Sequence, residues 1–167
     1  MNMWTVFYIV AALVAAKALW WWFIGRNVPK YPPLVLDDDD PAMKAAMEKA
    51  KASLDQFRSL HGSGIEDCQV KVQFLSNAGT LEHLWAAVLK LTDTEIEVRY
   101  LTPPVTHTGK LERVHVHPVS DIEDWAVILP NGAIHGGFTQ RVMFEQARKQ
   151  WGTLPKELED QAAKYVA

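Results

Sequence analysis

Residues Met3 to Ile24, MWTVFYIVAALVAAKALWWWFI, are apolar apart from Thr5 and Lys17, and they divide the chain before anything else is read. As a helix rising about 1.5 Å per residue, this segment of 22 positions would span roughly 33 Å, the thickness of a bilayer's hydrocarbon core. Trp20, Trp21 and Trp22 stand where an aromatic belt meets the headgroups, with Trp4 and Tyr8 toward the other end. Lys17 can reach outward on its long stem. The small residues of ALVAA and AKA also suit a cleaved signal peptide, but no Lys or Arg precedes the run and it resumes beyond Lys17. The expectation is an uncleaved transmembrane anchor over residues 1–26, in contact with membrane lipid through residues 3–24. Arg26 and Lys30 follow it with nothing basic before it, so the positive-inside rule places the rest of the chain in the cytoplasm.

The first 30 residues hold three of the 17 basic residues and no acid, so the remainder carries 14 basic against 20 acidic residues. A mildly acidic body argues against nucleic-acid binding, which needs Lys and Arg to displace counterions from phosphates. Cys68 is the single cysteine, which excludes an internal disulfide and reads as a small buried hydrophobe.

After the anchor, residues 27–39 form a Pro- and Asp-rich tether, with NVPKYPPLVL extended and Asp37 to Asp40 following. The Asp run lacks the spaced ligands and central Gly of a calcium loop. Asp40 as N-cap and Pro41 at the first turn instead open a helix expected to run to about Leu60. Met43, Met47, Ala50, Leu54 and Phe57 form its apolar stripe, and the two Met read as core packing. HGSG ends it. Val70, Val72 and Phe74 alternate with Gln69, Lys71 and Gln73 as a half-buried strand. LEHLWAAVLKL is apolar on both faces and reads as a central strand. Ile96, Val98 and Tyr100 form a third strand, and Val114 and Val116 begin a fourth. Ile122 to Leu129 and Ala133 to Ile134 flank Asn131-Gly132, a strong hairpin signal. Phe138 to Trp151 starts extended and becomes helical, and TLPKELEDQAAKYVA is a last short helix. The class is α+β: a bent antiparallel sheet packed by an N-terminal amphipathic helix, with C-terminal helices, preceded by one transmembrane helix. The folded domain is expected over residues 40–151, with a helical tail over 152–167.

The stretches DPAMKAAMEKAKASLDQF, VKVQF…EHLW, IEDW and GGFTQR resemble, in order and spacing, the YegJ-like bacterial family, domain of unknown function 2314. The resemblance covers Asp40 to Phe144 and departs from the usual pattern at LERVHVHPVS. It implies a bacterial origin, an α+β domain and no established activity, in a family that also occurs in tethered or exported forms and beside ankyrin repeats.

Strand alternation throws Glu82 and Leu84 to one face and His83 and Trp85 to the other, and it splits Asp124 from Trp125 in the same way. Gly136 and Gly137 mark a bulge or bend where the strand leaves its partner, and Thr139 and Arg141 share a face beyond them if that part is extended. The structural reading of this cluster pairs Arg141 with Asp124 or Glu82 and puts Trp85 and Trp125 in the core. The functional reading makes Glu82, His83, Asp124, Thr139 and Arg141 a pocket for a carboxylate or phosphate. His115 and His117 share a strand face, but no carboxylate or Cys stands at a ligand-like offset, so neither metal nor other cofactor is expected. No serine lies in a nucleophile elbow, and NGAIHGG lacks the Lys of a P-loop. The expected role is a membrane-tethered, non-catalytic module that binds a protein partner at the bacterial inner membrane. An immunity or accessory role beside a secreted effector is one version. The alternatives are an enzyme with acid–base groups around Glu82, His83, Asp124 and Arg141, and a structural subunit of a membrane complex.

Overall fold

The computed structural model describes residues 31–34, 40–112 and 114–166. The expected anchor over 3–24 and most of the tether lie outside the described residues. Among those described, no helix is long and apolar enough to cross a membrane.

Helix α1 (Pro41–Ala52) starts as its sequence dictates: the Asp40 carboxylate accepts from the N–H of Ala42 at 2.7 Å and of Met43 at 3.2 Å, with Pro41 in the first turn. It does not run unbroken to Leu60. Ser53 Oγ bonds back to the carbonyls of Lys49 and Ala50, at 2.9 and 3.0 Å. The Trp125 indole N–H reaches the Ala50 carbonyl and Ser53 Oγ, at 3.2 and 3.1 Å. A hydroxyl that competes for helical carbonyls, with a donor inserted beside it, breaks the ladder. Helix α2 (Leu54–Gly62) resumes beyond it and brings Phe57 against the Trp125 ring, centroids 5.5 Å apart.

Six strands follow: β1 (Cys68–Leu75), β2 (Leu81–Leu91), β3 (Glu95–Tyr100), β4 (Val114–Pro118), β5 (Ile122–Ile128) and β6 (Ile134–Gly136). They form one sheet in the order β4-β3-β2-β1-β5-β6, every neighbouring pair antiparallel. Alternation locates β1, β2 and β3 because each buries one face. Val70, Val72, Leu84, Ala86, Ile96 and Val98 are buried, and their cross-strand registers place them together. The Asn131-Gly132 turn closes β5 onto β6, with Gly132 at φ +82° and the Asn131 side chain holding the Ala133 N–H at 3.0 Å.

The sheet has to roll. Laid flat, β4 and β5 would stand four strand spacings apart, roughly 19 Å at about 4.8 Å each. A single 3₁₀ turn (Val119–Asp121) joins them, and the four residue steps from Pro118 to Ile122 reach at most about 14 Å. The bend expected from the strand order is therefore imposed by one short link. Strand β5 is buried on both faces: Trp125 and Val127 point one way, Asp124 and Ala126 the other.

Helix α3 (Phe138–Trp151) begins directly at Phe138, with no extended lead-in, and packs beside α1 and β5. Helix α4 (Lys156–Ala162) is the expected short helix. After it the chain runs along β6: the Ile134 N–H donates to the Lys164 carbonyl at 2.8 Å, and the Val166 N–H to the Ile134 carbonyl at 2.9 Å. Residues beyond 152 thus seal one sheet edge.

Candidate functional site

The β1–β5 ladder slips by one residue: Lys71 pairs with Asp124, but Val72 pairs with Ile122, leaving Glu123 extra. Such a bulge turns two successive side chains to the same side. Glu123 consequently meets residues of the face opposite the Val70 and Val72 side chains. Its Oε2 lies 2.7 Å from His83 Nδ1, and its Oε1 accepts from Gln73 Nε2 at 2.8 Å. Burial alone pushes the Glu123 carboxyl up. The bonds from His83 and Gln73, with the positive charge of Lys71 and that of His83 when protonated, outweigh burial and hold it below the ordinary glutamate value. His83 remains 40% exposed at the side chain, so its ring reaches solvent while Glu123 orients it.

This pair lies in an open groove of about 810 Å³. Strands β1 and β2 supply Lys71, Gln73, Leu81, His83 and Trp85, in which Lys71 stands opposite Trp85 and Gln73 opposite His83. The helices supply Met43, Met47 and Lys51 from α1 and Gln140 and Met143 from α3, and the link before β5 adds Ser120 and Asp121. The methionine pair read as core packing thus also faces the groove.

The other expected site residues are distributed elsewhere. Glu82 accepts from the Thr106 N–H and hydroxyl at 2.8 and 2.6 Å and from the Val105 N–H at 2.8 Å, pinning the loop between β3 and β4. Those bonds, the Thr106 hydroxyl first, lower its pKa. Asp124 is fully buried. Its Oδ1 accepts from the N–H of Trp125 at 2.8 Å and of Phe138 at 3.1 Å; its Oδ2 accepts from the Thr139 N–H and hydroxyl, both at 2.7 Å. It caps α3 from another strand, so the helix starts at Phe138 although Gly137 supplies no side-chain cap. Burial nonetheless raises the Asp124 pKa against these donors.

Arg141 corrects the expected ion pair. Its Nε donates to the Gly136 carbonyl at 3.1 Å and its Nη2 to the Val166 carbonyl, and its guanidinium stacks 5.7 Å from Phe138 and 5.8 Å from Tyr165. The tie is structural, but it holds backbone carbonyls in place of the carboxylate of Asp124 or Glu82. Gly136 and Gly137, at φ +79° and +61°, bring the chain tightly past Trp125 and Tyr165. Trp125 is core, whereas Trp85 is half-exposed in the groove.

His115 and His117 do share a face. The His117 Nε2 lies 2.9 Å from the Tyr100 hydroxyl, and His115 stacks on the Tyr100 ring. Among the described residues, no group of three or more His, Cys, Asp or Glu is placed to hold a metal ion.

Residues 40–153 match the family described as an uncharacterized protein conserved in bacteria, DUF2314. The chain belongs to that family. Comparisons with curated proteins and with solved structures gave no match. Within this DUF2314 domain the stretches VKVQF, EHLW and IEDW contribute Lys71, Gln73, His83, Trp85 and Glu123, so the resemblance runs through the floor of the groove.

Proposed function

We propose that this DUF2314 chain is a membrane-tethered interaction module at the bacterial inner membrane, and that its groove receives a segment of a partner protein. The groove carries this reading. Three methionines and Trp85 line it without closing over it, and unbranched, polarizable Met side chains repack around bulky partner side chains. The apolar segment 3–24 supports the tether, and Arg26 and Lys30 support a cytoplasmic domain. The His83–Glu123 contact favours a second reading, an acid–base enzyme, because a carboxylate beside an imidazole fixes its orientation and tautomer.

Photo-crosslinking in cells tests the first. A benzophenone side chain at Met47 of the full chain is expected to give one discrete adduct in the membrane fraction, lost on Met143→Glu. The same group at the exposed Ser63 is expected to give none. No adduct from Met47, or one indifferent to Met143, overturns the groove as a partner site.

Orientation is read with Ser63→Cys and a membrane-impermeant maleimide. Cys68 stays silent, since burial, then the neighbouring Asp67, pushes its thiol up to about 11. Cells with a permeabilised outer membrane are expected to remain unlabelled at residue 63. Ready labelling places the domain in the periplasm instead.

A further inference from the structure

We infer that the groove selects partner segments in which an acidic residue adjoins a bulky apolar one, the partner's carboxylate being received by Lys71 beside His83. This rests on the interaction-module reading and names the chemistry of its partner. Lys71 stands on β1 between Trp85 of β2 and Asp124 of β5, half-buried and lining the groove. Among the described residues, its ammonium has no hydrogen-bond or ion-pair partner within contact distance. The two carboxylates nearest in register are already engaged. Asp124 gives both oxygens to the start of α3 and to Trp125, and Glu123 gives both to Gln73 and His83, with only 6% of its side chain exposed.

Of the charged groups that line the groove, Lys51 and Lys71 stand against Asp121 and Glu123, and since Glu123 is almost wholly buried, two cations and one acid are left open to a ligand. Lys51 adds a second cation, paired with the solvent-exposed Glu48 at 3.7 Å, a contact weak enough to give way. Asp121 is the remaining acid, at the rim and 4.0 Å from His117. The Lys71 ammonium feels the Glu123 charge but is hydrogen-bonded to neither of its oxygens, so a carboxylate brought in by a ligand gains a charge-assisted bond there. The Trp85 ring is the cross-strand neighbour of Lys71, close enough for one ligand residue to touch the cation while the next covers the indole. An open groove walled by methionines fits a peptide's side chains, and an acidic-apolar pair on a peptide meets both the charge and the apolar walls.

Random-peptide display against the full chain in lipid discs tests this. Peptides that lose binding on Met143→Glu are scored as groove binders. They are expected to carry Asp or Glu within two positions of Trp, Phe, Leu or Met, and to weaken about tenfold or more on Lys71→Gln. Reselection on the Lys51→Glu, Lys71→Glu chain is expected to recover basic peptides, a gain that misfolding cannot imitate. Groove binders without acidic enrichment, or with equal affinity for Lys71→Gln, overturn the acidic preference and leave the module reading standing. An absence of groove binders on the wild-type chain overturns both.

Discussion

Gly136→Ala is expected to cost at least about 3 kcal/mol, a large part of the 5–15 kcal/mol that holds an ordinary domain together. A Cβ at this position would fall on the Trp125 carbonyl oxygen and 2.6 Å from the ring carbon Cε3. Neither can retreat, because the carbonyl accepts from the Gly137 N–H at 2.7 Å and the ring is wedged between Phe57 and Phe138. The residue also sits at φ +79°, where a side chain adds roughly 1–2 kcal/mol. Gly132 supplies the control. Its φ is +82°, but nothing lies within 4 Å of its missing Cβ, so Gly132→Ala should show the backbone penalty alone. Pulse proteolysis in urea compares the two variants. Equal losses would mean that close approach to Trp125 plays no part.

Asp124→Ala is expected to be comparably damaging, at about 3–5 kcal/mol. It leaves three backbone N–H groups and the Thr139 hydroxyl without their acceptor, each worth about 1–3 kcal/mol when dry, less what water recovers. Asp124→Asn should lose less, since one amide oxygen still accepts while the NH₂ faces two donors. The carboxyl's raised pKa sets the sign with pH. The folded state keeps this proton to higher pH than the unfolded chain, whose aspartate titrates near about 3.9. The residue's contribution therefore falls as pH rises from there through the folded value, and the gap between wild type and Asp124→Asn narrows over that window. The same proteolysis assay reads it. An alanine variant within about 0.5 kcal/mol of wild type would mean that α3 does not depend on this cap.

The two positions mark what alternation and caps could reveal and what they could not. Asp40 caps the helix that follows it at once, so a short window of sequence suffices. Asp124 caps a helix that begins fourteen residues later, on the far side of a hairpin, and Phe138 accordingly read as extended. The break at Ser53 depends on an indole 72 residues away, and Arg141 was matched to carboxylates because charge is visible in a sequence and free carbonyls are not. The groove escaped for a related reason. A strict period of two puts Glu123 with Trp125 and away from Asp124, so neither its meeting with His83 nor the arrangement of Lys71 and Gln73 beside it could be drawn from the alternation. Only His83 and Trp85 of the groove were among the expected site residues. The sheet itself is legible because each slip, at Glu123 in β5 and at Leu89 in β2, leaves the burial of the other strands unchanged.

That slip bears on how the strand can change in descent. In a regular ladder any single deletion inverts every later side chain, and in β5 this would drive Trp125 and Val127 out of the core. At Glu123 the arithmetic differs, because the ladder already carries one residue too many there. A lineage that lost this residue would regularise β5, keep Trp125 facing Ala50 and Phe57, keep Asp124 on the start of α3, and part only with the acid that orients His83. The acid that orients His83 is an insertion that the fold can do without.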